Sequence, residues 1–251
     1  MLNAGNMRTF YEILYHVSDR GATITLKRPD KFNAWTATME NSVRAAINEA
    51  AADDDVRVIV ITGAGRGFCA GADMGGLQKI DAKGDGRKRI VEKGEEADVS
   101  FDTDLGPSVL DHFEGRFGYM FECPKPIIAA INGPCAGIGL VMTLFCDMRI
   151  ASDAANSTTA FAQRGLVAEH GIAWLLPRLI GSANALDILM SARKFTGEEA
   201  ARLGLVNRSV PGNALASEVS DYAKGLAETA SPCSMTVMKR QVYKSRFQDF
   251  N

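Results

Sequence analysis

The sequence predicts an α/β protein, and three observations carry the prediction. Short β-branched apolar runs alternate with segments of helical periodicity along the chain. Two of those runs, residues 56–62 and 127–131, each lead into a glycine-rich turn. The composition, 46% hydrophobic and 23% charged over 251 residues, is that of a soluble chain with a substantial core. Strand and helix alternating in this way build layered α/β folds.

The elements follow in order. Residues 10–16 and 22–27 read as two strands joined around Asp19-Arg20-Gly21. The segment KRPDKFNAW is a turn. Met39, Val43, Ile47 and Ala50 then recur at helical spacing, which predicts a helix over 36–51. Residues 56–62 are a buried strand. Between Gly75 and Glu122 the character changes: 79–93 is dense in charge and glycine, and 95–104 is acidic. This is either a solvated connector or a lid. Residues 126–146 are apolar enough to suggest a membrane helix, but Asn132-Gly133-Pro134 breaks them in the middle. The reading is therefore strand, turn and helix, with no membrane span. A further strand covers 148–151, and Trp174-Leu175-Leu176 belongs to a helical segment ending at Gly181. Thr196 with Glu199 forms a capping box ahead of a short helix. Residues 214–230 and 235–247 read as two last helices.

Several functions are disfavoured. A net charge of −2 gives no reason to expect nucleic acid as a partner. The five cysteines form no C-x-x-C pair, and the three histidines are scattered, so neither a metal site nor a disulfide framework is indicated. GAGRG misses the dinucleotide fingerprint, because Phe68 stands where a third glycine is needed. No phosphate-binding G-x-x-x-x-G-K-[ST] loop and no G-x-S-x-G nucleophile elbow occurs. No targeting segment is evident, and a reducing cytoplasm fits the cysteine usage. What remains is the pair of glycine turns. Backbone N–H groups presented by two such turns can converge on a substrate oxygen that gains negative charge.

The strings TLKRPDKFNAW, GAGRGFCAGADM, NGPCAGIGL, LFCDMRIAS and EEAARLGLVNRSV, in this order, resemble the crotonase superfamily, the enoyl-CoA hydratases and isomerases. The resemblance runs from about Ile24 to Val210. It implies a spiral of ββα units with a helical C-terminal region, divided here as 1–195 and 196–251, and assembly as a homotrimer or hexamer. It implies an acyl-CoA thioester as substrate, with CoA as part of that substrate and no other cofactor. By motif position the enolate oxygen is held by the N–H groups of Ala70 and Ile138. Gly71, Ala72 and Gly137 surround that site. Lys31 and Phe32 lie where the family contacts CoA; for Lys31 a solvated charge beside a turn is an equal reading. Asp73 either touches the substrate region or caps the following helix. Family members carry a further helical stretch that closes over CoA, whereas this chain stops at Asn251.

Hydratases of this superfamily use two glutamates, one to orient water and one to deliver a proton. By the same resemblance, the first position is Val141, which cannot do acid–base work. The second region, FAQRGLVAEHGIAWLLP, lacks Q-P-E and has Glu169 as its central carboxylate. The string LVAEHGIAWLLP is more similar to the single-glutamate Δ3,Δ2-enoyl-CoA isomerases. That branch implies Glu169 as the base that moves a proton from C2 to C4; the alternative for Glu169 is a helix cap. His170, its neighbour, is expected to point elsewhere. Enoyl-CoA hydration, other crotonase-type acyl-CoA reactions and non-catalytic acyl-CoA binding stay open as alternatives.

Overall fold

The computed structural model describes residues 10–73 and 115–248. Among these, β1 (Ile13–Ser18) and β2 (Gly21–Leu26) form an antiparallel hairpin. A turn then leads into α1 (Ala37–Ala52), capped by the Thr36 hydroxyl, which accepts the Met39 N–H at 3.0 Å. Then come β3 (Val58–Gly63), α2 (Tyr119–Glu122), β4 (Ile127–Ile131), β5 (Cys135–Ala136), α3 (Ile138–Leu144), β6 (Met148–Ser152) and β7 (Ser157–Thr158). The chain continues through α4 (Ile172–Ser191), α5 (Gly197–Arg202), β8 (Arg208–Val210), α6 (Leu215–Thr229) and α7 (Pro232–Lys244). The predicted lid or connector lies mostly outside the described residues.

Six strands form one sheet in the order β1-β2-β3-β4-β6-β8, parallel from β2 onward. Its central strands are apolar on both faces because both are covered. Val58, Val60, Ile128, Ala130 and Ile150 face Leu215, Val219 and Ala223 of α6. Ile59, Ile61, Ile127, Ala129 and Ile131 face the larger core, which includes Val43 and Ile47 of α1 and Leu140 of α3.

A second, much shorter ladder runs across the ends of the spiral. It pairs Trp35 with Ala72, Cys69 with Cys135, β5 with β7, and Ser157 with Phe195. Each turn of the chain thus adds one strand to the large sheet and one short extended piece to the small ladder before entering a helix or leaving the described residues. This is the ββα spiral, and it fixes the site, because both glycine turns sit between a sheet strand and its ladder piece.

The predicted elements are found with shifted ends. The first strand starts at Ile13, Thr196 caps α5 by accepting the Glu199 N–H while the Glu199 carboxylate pairs with Arg193 at 2.8 Å, which is half of the predicted capping box, and the last helix starts at Pro232 behind Ser231. The segment predicted to end at Gly181 does break there (φ 76°, ψ 157°), but a second helical stretch resumes and runs to Ser191. β8, missed in the sequence, extends the sheet from the later part of the chain.

Candidate active site

The first arm of the site leaves β3 through the Gly63–Gly67 turn, buries Phe68 and Cys69, and reaches Ala70, Gly71 and Ala72. The Ala70 N–H, expected to be an oxyanion donor, donates instead to Phe32 O at 2.9 Å. It is therefore not available to a ligand. Trp35 N–H donates to Gly71 O at 2.8 Å, and Asp73 N–H donates to Trp35 O at 2.9 Å. In a parallel bridge, a residue bonded to the neighbours on either side of its partner leaves that partner's own amide facing the other way. Ala72 is that partner. Its N–H points away from Trp35 and makes no hydrogen bond among the described residues.

The second arm repeats the pattern. β4 leads through Asn132-Gly133-Pro134 into β5, then Gly137 and α3. Ile138 is the first residue of α3, so its N–H has no intrahelical acceptor. Gly71 has φ 104° and Gly137 φ 50°, both left-handed and suited to glycine. The two glycines lie close together: a Cβ on Gly137 would lie 4.0 Å from Gly71 Cα, and one on Gly71 would lie 3.3 Å from Ala136 O. Each open N–H thus follows directly after one of two neighbouring glycines. The register Cys69-Ala70-Gly71-Ala72 against Cys135-Ala136-Gly137-Ile138 was visible in the sequence as a repeated C-A-G-x. That repeat is the signal that would have picked Ala72 over Ala70.

Cys69 itself is no nucleophile. Burial pushes its thiol up to about 11, against small opposing effects from backbone N–H groups.

The third arm carries Glu169. It follows a 3₁₀ turn at Ala162–Arg164 and stands just ahead of α4, where its carbonyl accepts the Ile172 N–H at 3.2 Å. The carboxylate is 41% exposed and lies 3.6 Å from His170 Nε2, so His170 does not point away. His170 occupies the left-handed region (φ 56°), as does Gly171 (φ 83°). Burial lowers the His170 pKa, Arg116 lowers it further, and Glu169 opposes them. Arg116 is itself held by Glu40 at 3.0 Å.

Aromatic packing ties this arm to the other two. A Cβ on Gly171 would lie 3.5 Å from Phe145 Cζ. Phe145 packs on Phe117 at 5.7 Å, and Phe117 packs edge-on to Trp35 at 5.6 Å. Trp35 is the ladder partner of Ala72. Val141, expected where a hydratase carries its first acid, is fully buried, and every residue of α3 is apolar or uncharged.

The remaining expected residues are placed as follows. Lys31 and Phe32 are exposed on the turn before Asn33, with the Arg66 guanidinium 5.5 Å from the Phe32 ring. Asp73 binds Arg28 Nη2 at 2.9 Å, and Arg28 also reaches Glu12 at 3.2 Å. The helix that Asp73 was expected to cap lies outside the described residues.

A ββα spiral with two adjoining glycine turns, each followed by an open amide, suits the class of enzyme that meets negative charge developing on a substrate oxygen. The family profile described as enoyl-CoA hydratase/isomerase matches residues 19–249. A Rhodobacter capsulatus protein named "probable enoyl-CoA hydratase" is 34% identical, over 81% of this chain and 70% of its own length. The 1,2-epoxyphenylacetyl-CoA isomerase of Escherichia coli is 32% identical, over 86% of this chain and 76% of its own. The crystal structure of an enoyl-CoA hydratase from Mycobacterium marinum superposes with a TM-score of 0.72 at 41% identity, covering 94% of this chain and 99% of that one. The chain belongs to the enoyl-CoA hydratase/isomerase family of the crotonase superfamily and is an enzyme of that family.

Proposed function

We propose that this enzyme isomerises a 3-enoyl-CoA to the 2-enoyl-CoA, with Glu169 as its single proton carrier. The observation that supports this most is the pairing of Glu169 with a buried Val141 where a second acid would stand. Hydration needs one group to orient water and another to deliver a proton to carbon. Isomerisation needs one group that gives back what it took.

In the proposed step the thioester oxygen sits between the N–H groups of Ala72 and Ile138. The Glu169 carboxylate takes a proton from C2. The C2–H electron pair forms the C1–C2 double bond of a dienolate, whose negative charge rests on the oxygen between the two amides. The dienolate then collapses: the C2–C3 double bond forms, the former C3–C4 π pair takes the proton from Glu169 at C4, and the carboxylate is restored. Each oxyanion donor of this kind is worth about 3 kcal/mol in the barrier. Lys31 and Phe32 form part of the CoA-facing edge in this reading. Assembly as a trimer or hexamer is also proposed, and the exposed Leu186 and Met190 on α4 are apolar surface that a second copy would cover.

The test is to incubate the enzyme in deuterated water with a 3-enoyl-CoA and, separately, with a 2-enoyl-CoA, following products by mass spectrometry. Conversion of the 3-enoyl to the 2-enoyl thioester, with little 3-hydroxyacyl-CoA, is the expected result. Prompt 3-hydroxyacyl-CoA from the 2-enoyl thioester would make the enzyme a hydratase instead. Tight binding of both without turnover would leave acyl-CoA binding alone.

A further inference from the structure

We infer that Asn33 and Asn132 are positioning residues: together they clamp the Gly63–Gly67 turn and so fix the spacing of the Ala72 and Ile138 amides. This rests on the oxyanion reading above.

Asn33 is fully buried and sits in the left-handed region (φ 55°) directly after Phe32, which shares that conformation (φ 47°). Its Oδ1 accepts the Arg28 N–H at 2.8 Å. Its Nδ2 donates to Ala64 O at 2.9 Å and to Gly67 O at 2.8 Å. Asn132 opens the second arm and reaches the same turn from the other side. Its Oδ1 accepts the Gly63 N–H at 3.2 Å, and its Nδ2 donates to Gly65 O at 3.1 Å and Gly67 O at 3.4 Å. The Gly67 carbonyl thus receives an N–H from each asparagine.

The arms are rigidly joined beyond this clamp. A Cβ on Gly133 would lie 2.1 Å from Arg66 O, so the two turns are backbone against backbone. Phe68 N–H and Cys69 N–H both donate to Pro134 O at 3.1 Å, and Ala136 N–H donates to Cys69 O at 2.9 Å. From Gly67 to Ala72, and from Asn132 to Ile138, the chain has little slack. An oxyanion hole works only if its donors stand within about half an ångström of their working positions. The clamp supplies that precision at the base of both arms.

The residue type follows from the chemistry. One planar side chain must accept a single N–H and donate two, which an amide does and a carboxylate does not. Asparagine also tolerates the left-handed backbone that Asn33 adopts.

The experiment uses a chromophoric thioester, 4-(dimethylamino)cinnamoyl-CoA. Polarisation of its carbonyl by two N–H donors shifts its absorption to the red. Wild type, Asn132→Ala and Asn33→Gly are compared for the red shift, for affinity, and for kcat and KM on a 3-enoyl-CoA. Asn33→Gly keeps the backbone conformation without strain. The expected result is affinity and KM within about threefold of wild type, a red shift at least halved, and kcat lowered about tenfold or more. A merely structural role would change the amount of folded enzyme but not the spectrum of the bound ligand. Should Asn132→Ala or Asn33→Gly fail to fold, Asn132→Asp keeps the Gly63 acceptor, removes both donors and gives the same readouts at a half-exposed position. Wild type that shifts, with variants that shift equally and keep wild-type kcat, overturns the clamp alone. Wild type that binds without any shift overturns the oxyanion reading and the clamp with it.

Discussion

Gly71 and Gly137 stand so close that a Cβ on the second would be in van der Waals contact with the Cα of the first, 4.0 Å away. They are equivalent residues of two arms that approach the small ladder in register, and the residue after each has an open amide. The space between them admits a methyl group, so the demand for glycine at 137 is conformational. At φ 50° and ψ −123° its backbone lies where side-chain-bearing residues are strained.

Gly137→Ala is therefore expected to relax by rotating the peptide that carries the Ile138 N–H. Losing one such donor costs about 100-fold in kcat. KM for the 3-enoyl-CoA should stay within a few-fold, because the bulk of a CoA substrate is held elsewhere. Steady-state kinetics on variant protein with a wild-type circular dichroism spectrum checks this. A kcat within twofold of wild type would remove Ile138 from the proposed mechanism.

Glu169→Gln keeps the shape of the side chain and removes its basicity. Turnover should fall by about 10²- to 10⁴-fold, the usual range for a general acid–base group. Deuterium incorporation at C2 of the bound thioester should fall with it, while ligand affinity stays near wild type. Exchange at C2 that survives in the variant would mean that another group takes the proton.

The sequence made some of this plain and hid the rest, for physical reasons. The β-branched runs at 58–63 and 127–131 are apolar on both faces because α6 covers one side and α1 with α3 the other, and such strands read clearly. Residues 208–210 are only partly buried and carry no run, so β8 was missed. In the site, a motif position put the donor at Ala70, but a donor is defined by where its N–H points. That depends on the Trp35–Ala72 bridge, between segments far apart in sequence. Asn33 and Asn132 were hidden in the same way, since a turn asparagine and a clamping asparagine look alike until the partners are known.

His170 should make stability depend on pH. Its pKa in the folded state is lowered, chiefly by burial and then by Arg116, against about 6.5 when unfolded. Between the folded value and about 6.5 the unfolded chain binds more protons, so stability rises with pH through that window. It is lost as pH falls from about 6.5 through the folded value. His170→Asn, which tolerates the left-handed backbone, should flatten the fall in Tm on acidification relative to wild type. Arg116→Gln should move the His170 titration upward in an NMR experiment. Parallel Tm curves for wild type and His170→Asn would contradict this account.

The last prediction concerns the anchor of α7. Lys239 Nζ donates to Asp147 Oδ2 at 2.8 Å, Met120 O at 2.9 Å and Lys125 O at 3.2 Å. Asp147 also accepts the Ile127 N–H at 2.7 Å and the Tyr243 hydroxyl at 2.9 Å, so one carboxylate joins β4, α7 and the loop before β6. The lysine and aspartate side chains are only 7% and 14% exposed. Removing one partner of a buried pair costs about 3–5 kcal/mol, because the other charge stays behind uncompensated. Asp147 keeps two hydrogen bonds, which puts Lys239→Met at about 3 kcal/mol in urea unfolding. Adding Asp147→Asn should recover part of that loss, since the stranded charge is then gone. The pair sits beyond the C-terminal end of α3, whereas Ile138 is at its first residue, so kcat per folded molecule should not change. If Lys239→Met left stability intact, solvent would be reaching Asp147, and the pair would rank with the weak ion pairs of the surface.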